Sequence, residues 1–168
     1  MDNLKERLQP ALLDRLTDDE PDKPVESRAK RIVSTARLRE SVRRDLAWLL
    51  NTTNLASVRD LSAVPEVAES TLNYGVPDLA GRTKSTVKPE EIERVIRNAI
   101  WRYEPRLVRR SVQVKMVGEP SDIKFNNMCF VIEAELWAQP LPIRLFLKTE
   151  LDLESGDARV TELGGAAG

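Results

Sequence analysis

The sequence has no histidine and one cysteine, Cys129. Without imidazole, Ser-His-Asp and Cys-His nucleophilic systems, the His-Glu-x-x-His zinc motif and any imidazole base near neutral pH are excluded. A single cysteine excludes an intrachain disulfide, and with no histidine beside it a Cys/His zinc site is excluded too. Chemistry would have to rest on carboxylates, Lys, Tyr, Ser/Thr or a carboxylate-bound metal, and no cofactor is expected. Net charge is also lacking: 26 basic residues face 27 acidic ones, for −1 overall. That balance provides no overall field to hold nucleic acid or an anionic membrane. No run approaches the roughly 18 apolar residues of a membrane span, and the start, Met1 to Glu6, lacks the basic-then-apolar pattern of a secretory signal. The expectation is a cytoplasmic, reduced protein with no direct membrane insertion.

The 168 residues suit one domain plus tails. Residues 1–16 carry Leu4, Leu8, Leu12, Leu13 and Leu16 near helical spacing, interrupted by Pro10. Such a leucine-bearing segment either docks on a partner or folds back on its own domain. Residues 17–35 read as a polar linker, because Thr17 to Glu26 is acidic and proline-bearing. The domain is expected over 36–163, with 164–168 a disordered tail. Leu38, Val42, Leu46 and Leu49 place one apolar stripe on a first helix. Arg37, Arg39, Arg43 and Arg44 take its other sides, interleaved with Glu40 and Asp45. That mixture fits a solvated face or an acidic partner protein better than nucleic acid. Asn51-Thr52-Thr53-Asn54 ends the helix. A structural turn follows at Asn73, Tyr74, Gly75 and Pro77, with Gly75 the place for a positive φ.

A second helix opens at Pro89 with Glu90, Glu91 and Glu93 near its positive end. Ile92, Val95, Ile96, Ala99, Ile100 and Tyr103 form its core stripe, and Pro105 terminates it. The apolar period then changes from 3.6 to 2. A first strand puts Val108, Val112, Val114 and Met116 on one face. A second puts Met128, Phe130, Ile132, Ala134 and Leu136 inward, and a third Leu141, Ile143, Leu145, Leu147, Leu151 and Leu153. Inward residues are even-numbered before Gln139-Pro140 and odd-numbered after it. Hairpin parity therefore sets Glu135 opposite Arg144, and a turn at Glu154 to Asp157 sets Val160 opposite Leu151. The fold class is α+β: an antiparallel β-meander with amphipathic helices packed on one face. Strand parity turns Trp137 outward, as an exposed aromatic anchor.

At the helix-to-strand corner, Pro105 holds Glu104 and Arg106 on either side of a bend. The two charges either brace the corner or present a rigid docking feature to another chain. The segment 10–16, the helix 37–52, Leu72-Asn73-Tyr74-Gly75 and Glu104-Pro105-Arg106-Leu107 together resemble the TssE family of type VI secretion baseplates and the related phage wedge family. The resemblance runs from about Pro10 to Val160. It implies a non-catalytic subunit working with TssF, TssG and TssK and starting the TssB/TssC sheath. It also implies that Glu104, Pro105 and Arg106 dock neighbouring subunits; the leucine spacing and strand parity add Leu12, Leu13, Leu16 and Trp137 as further candidate protein contacts. An exposed edge at the last strand, or the one beside it, would accept a sheath strand. Two other readings stand beside this one. A carboxylate-based peptidoglycan hydrolase would draw on Glu104, Glu133, Glu135 or Asp78, and a soluble adaptor would reuse the same fold.

Overall fold

The computed structural model describes residues 11–17, 22, 34–81, 88–118, 127–138 and 141–163. Residues 1–10, most of the linker and the tail 164–168 lie outside the described residues, so the expectations made for them are not met or missed here. Helix α1 spans Leu12–Leu16, α2 Thr35–Leu50, α3 Pro65–Glu69 and α4 Pro89–Tyr103. Strands β1 Gln113–Met116, β2 Asn127–Leu136, β3 Ile143–Asp152 and β4 Ala158–Glu162 form one antiparallel sheet in the order β1-β2-β3-β4. The α+β meander is therefore present as expected.

Helix α2 starts where the Ser34 side chain accepts the Arg37 backbone N–H at 3.2 Å, satisfying one otherwise free donor of the first turn. Leu38, Val42, Leu46, Leu49 and Leu50 bury their side chains on one stripe. Pro89 opens α4, whose buried stripe is Ile92, Ile96, Ala99 and Ile100. Both stripes pack on the inner sheet face, α2 along β4 and α4 along β1. Phe130, Ile132, Leu136, Leu145 and Leu147 meet them there, each completely covered. Burying a side chain of this size contributes about 1.5–3 kcal/mol, so the sandwich of two helices and one sheet face is the main source of stability. No described helix is long and apolar enough to cross a membrane.

The first hairpin register is as parity required, with Glu135 opposite Arg144. Three details differ from the sequence reading. The segment Arg109–Ser111 is a 3-10 turn, and the first strand begins only at Gln113. Ser111 causes this: its hydroxyl donates to the Val108 carbonyl at 2.7 Å and accepts the Glu135 N–H at 2.8 Å, replacing strand pairing. Leu141, expected inward, is 74% exposed. It sits in the bend before β3, where no partner strand fixes its direction. Val160 lies opposite Thr149, and Leu151 opposite Ala158. The chain leaves β3 one residue earlier than expected, shifting the pairing by two, because the Asp152 carboxylate accepts the Glu154 N–H at 2.8 Å, while Gly156 turns at φ 83°. A shift of two residues preserves parity, so Val160 remains buried.

Candidate docking corner

The corner follows from one proline. Pro105 disfavours α conformation at Glu104, which takes φ −119° and ψ 80°, while the Glu104 N–H still donates to Ile100 at 2.9 Å. The chain then doubles back. Arg106 Nε donates to Glu104 Oε1 at 2.7 Å and Nη2 to Oε2 at 2.5 Å, a bidentate fork across the bend. The same guanidinium reaches α2, donating to Asp45 Oδ2 at 2.6 Å and to Ser41 Oγ at 3.3 Å. Glu104 is buried at 4% exposure, and Arg106 retains a quarter of its surface. Burial alone would weaken the Arg106 charge, but Glu104 and Asp45 outweigh it and hold the guanidinium proton more tightly than usual.

The ion chain continues outward. Arg44 Nε donates to Asp45 Oδ1 at 3.0 Å, and Arg44 Nη1 to Asp14 Oδ1 of α1 at 2.6 Å. Alternating charges thus join α4, α2 and α1. The Arg44 guanidinium also lies 5.0 Å from the centre of the Trp48 ring. Helix α1 is thus tied to α2 through Asp14. Leu13 lines a cleft of about 260 Å³ together with Trp48, Tyr74, Tyr103 and Pro105, with Glu104, Arg106 and Asp45 also in its wall. Leu12 and Leu16 face away, 69% and 74% exposed.

The turn Asn73 to Pro77 is tied to this cleft. Tyr103 Oη donates to the Asn73 carbonyl at 2.6 Å, and the Tyr103 and Tyr74 rings meet edge to face at 5.2 Å. Burial, then the Asp45 and Glu104 carboxylates, push the Tyr74 phenol above its ordinary value. The Asn73 side chain accepts the Ala56 N–H and donates to the Ala68 carbonyl, both at 2.9 Å. Gly75 takes φ 119°, and a Cβ there would lie 2.1 Å from the Thr52 carbonyl oxygen. That oxygen accepts the Val76 N–H at 2.8 Å, so the turn is stitched to the end of α2. Trp137 is 62% exposed, and its backbone N–H donates to the Arg106 carbonyl at 2.8 Å. Residues far apart in sequence, Leu13, Asn73–Gly75, Glu104–Arg106 and Trp137, are thus gathered around one bend. Sequence reasoning missed Asp45 and Trp48 as parts of it. Asp45 was visible only as a charge among arginines, 61 residues from the guanidinium it binds.

A family model for baseplate wedge protein gp25 matches residues 36–141. The chain belongs to this family. Neither curated proteins nor solved structures returned a match to the chain. The matched span begins at α2 and ends just before β3, so it contains the whole corner brace except α1. Baseplate wedge proteins are structural components, which is the coarse role this membership assigns.

In this gp25-family chain the carboxylates considered for glycoside hydrolysis lie on three separate parts of the fold. Glu104 is bound to Arg106, Glu133 and Glu135 stand half-buried on β2, and Asp78 is exposed on a loop. Asp78 and Asp157 do line a second cleft, of about 110 Å³. That is below the roughly 300–1,000 Å³ of ordinary ligand pockets. Among the described residues no cluster of acidic or Cys side chains could hold a metal ion.

The sheet edges are partly occupied. Antiparallel alternation points the Ala158, Val160 and Glu162 backbone groups away from β3. Asn51 imitates a neighbouring strand there: its amide oxygen accepts the Ala158 N–H at 2.9 Å and its Nδ2 donates to the Ala158 carbonyl at 2.7 Å. Arg43 Nη1 donates to the Val160 carbonyl at 3.0 Å, and Arg39 pairs with Glu162 at 2.8 Å. At the other edge, Glu93 of α4 accepts the Met116 N–H at 2.8 Å. Helix side chains thus blunt both edges.

Proposed function

We propose that this gp25-family chain is the TssE subunit of a type VI secretion baseplate in the cytoplasm. In this role it is non-catalytic, links the wedge subunits TssF, TssG and TssK, and starts the TssB/TssC sheath. The observation that carries the reading is the corner cleft. Its floor is held rigid by the Glu104–Arg106–Asp45 chain, while its rim offers Trp48 at 51% exposure, the exposed Pro105 and Leu13. A rigid pocket with an aromatic anchor is what a protein contact of high energy uses. The family match and the type VI-like segments at 37–52 and 72–75 support the same assignment. The charges of Glu104 and Arg106 brace the bend, so docking uses the surface they shape together with the exposed part of Arg106.

Coexpression with TssF and TssG tests the reading. Trp48→Ala, which leaves Pro105 and the Glu104–Arg106–Asp45 chain in place, is expected to abolish copurification while the melting temperature stays near wild type. Full copurification of that variant overturns docking at the corner. Sheath initiation is tested separately at β4. Glu162→Pro removes an outward N–H without breaking a bond to β3, and is expected to stop sheath assembly while baseplate subunits still copurify. Normal sheaths in that variant would count against strand addition at this edge.

A further inference from the structure

Two sets of arginines among the described residues differ in their partners. Arg39, Arg43, Arg44 and Arg106, on α2 and at the corner, each form an ion pair within the chain. Arg94 and Arg97 on α4, and Arg109 and Arg110 in the turn before β1, form none among the described residues. Arg97 and Arg109 nevertheless converge. Their guanidinium carbons lie 5.6 Å and 4.9 Å from the centre of the same ring, Trp101. Helical spacing sets Arg94, Arg97 and Trp101 along one side of α4, and Arg94, Arg109 and Arg110 are exposed. Trp101 is anchored by packing against the core, and its buried Nε1 has no hydrogen-bond acceptor among the described residues.

The carboxylates nearby do not neutralise this group. Glu90, one turn before Arg94, makes no ion pair with it. Glu93, one turn before Arg97, accepts the Met116 N–H instead. The Trp101 ring holds two guanidiniums in place through cation–π attraction, which lowers the side-chain entropy an incoming anion would otherwise have to remove. Two guanidiniums held against one aromatic ring, with their donor edges free, each suit a carboxylate of an incoming acidic segment.

We propose that the Trp101 face, with Arg97 and Arg109 at its centre and Arg94 and Arg110 beside them, docks an acidic polypeptide segment of a partner protein. Nucleic acid fits this surface less well. The chain carries a net charge of −1, so no wide positive field surrounds the patch, and the Trp101 ring already carries guanidiniums where a base would have to stack. The surface is separate from the corner cleft, whose walls contain none of these residues.

The test uses the full chain, isotopically labelled, titrated with a short synthetic peptide of alternating Glu and Ala. The matching Gln-Ala peptide and a single-stranded oligothymidylate serve as comparisons. Chemical-shift changes are expected at the Trp101 indole and at Arg94, Arg97, Arg109 and Arg110, with binding that weakens as salt rises. Arg97→Gln with Arg109→Gln is expected to weaken the Glu-Ala peptide roughly fivefold to twentyfold. Arg59→Gln, at an exposed arginine elsewhere, should leave binding unchanged. Arg97→Lys with Arg109→Lys should recover only part of the affinity, since the planar fork is lost. No binding of the Glu-Ala peptide, equal binding by the glutamine variant, shifts centred elsewhere, or tighter binding of oligothymidylate would each overturn the proposal. Thermal melts of both double variants, expected to match wild type, separate loss of the surface from loss of the fold.

Discussion

Replacing Arg106 with alanine removes the hub of the corner and strands the Glu104 carboxylate. In the wild type that carboxylate receives the Arg106 fork and the Arg106 backbone N–H at 3.1 Å. In the variant only the backbone donor remains, around a side chain of which 4% is exposed. Removing one partner of a fully buried pair costs about 3–5 kcal/mol. Water reaches the quarter-exposed Arg106 and Asp45 side chains, so the expected loss falls to about 2–4 kcal/mol. Set against a domain stability of about 5–15 kcal/mol, the variant stays folded at room temperature but melts about 5–15 °C lower. The assay is urea unfolding followed by both circular dichroism and tryptophan fluorescence, with an unchanged m-value showing a pure change of stability. Adding Glu104→Gln to Arg106→Ala removes the stranded charge and is expected to recover about 1–2 kcal/mol. An Arg106→Ala midpoint within about 0.5 kcal/mol of wild type would refute the reasoning. A failure of Glu104→Gln to recover anything would show that the carboxylate is hydrated rather than stranded.

Three further outcomes are expected. Gly75→Ala forces a Cβ to within 2.1 Å of the Thr52 carbonyl oxygen at a positive φ; a loss of about 3 kcal/mol or more, read as a lower urea midpoint, is expected. Asn51→Ala leaves the Ala158 N–H and carbonyl without their amide partner; a loss of about 1–3 kcal/mol should appear, with faster hydrogen exchange at Ala158 than in wild type. Tyr74 has a folded value raised above its ordinary 10.0, chiefly by burial and then by Asp45 and Glu104. Its neutral phenol is therefore favoured in the fold, and this contribution is fully present below pH 10 and is lost as pH rises through the raised folded value. Urea midpoints measured on the alkaline side should fall less steeply in Tyr74→Phe than in wild type.

How much of this was legible beforehand depends on the range of the interaction. The stripes of α2 and α4 were readable because helical burial repeats locally, and Leu38, Val42, Leu46 and Leu49 carry that repeat by themselves. The pairing of Glu135 with Arg144 was readable because a short hairpin leaves parity few choices. Parity could not fix the second hairpin, since a shift of two residues keeps the same faces inward. The Asp152 carboxylate decided that register through hydrogen bonds that hydrophobic pattern does not encode. Likewise Ser111 delayed the start of the expected first strand by a hydroxyl bond that alternation could not reveal.

The corner shows the same division. From Pro105 alone the bend between α4 and the sheet follows, because a ring without an N–H cannot continue a helix and restricts the residue before it. The sequence also determined that two opposite charges flank that bend, and that imidazole and disulfide chemistry are absent. It left open whether those charges brace the chain or face outward. Only the tertiary structure decided that Arg106 turns inward, because its partner Asp45 is supplied by a helix 61 residues earlier. The same packing brought Leu13 and Tyr74 into one wall of the cleft and set the Trp137 backbone against Arg106. Periodicity reports which side of an element is apolar; which charges meet is settled only when separate elements share one core, since a guanidinium fork needs its carboxylates within about 3 Å.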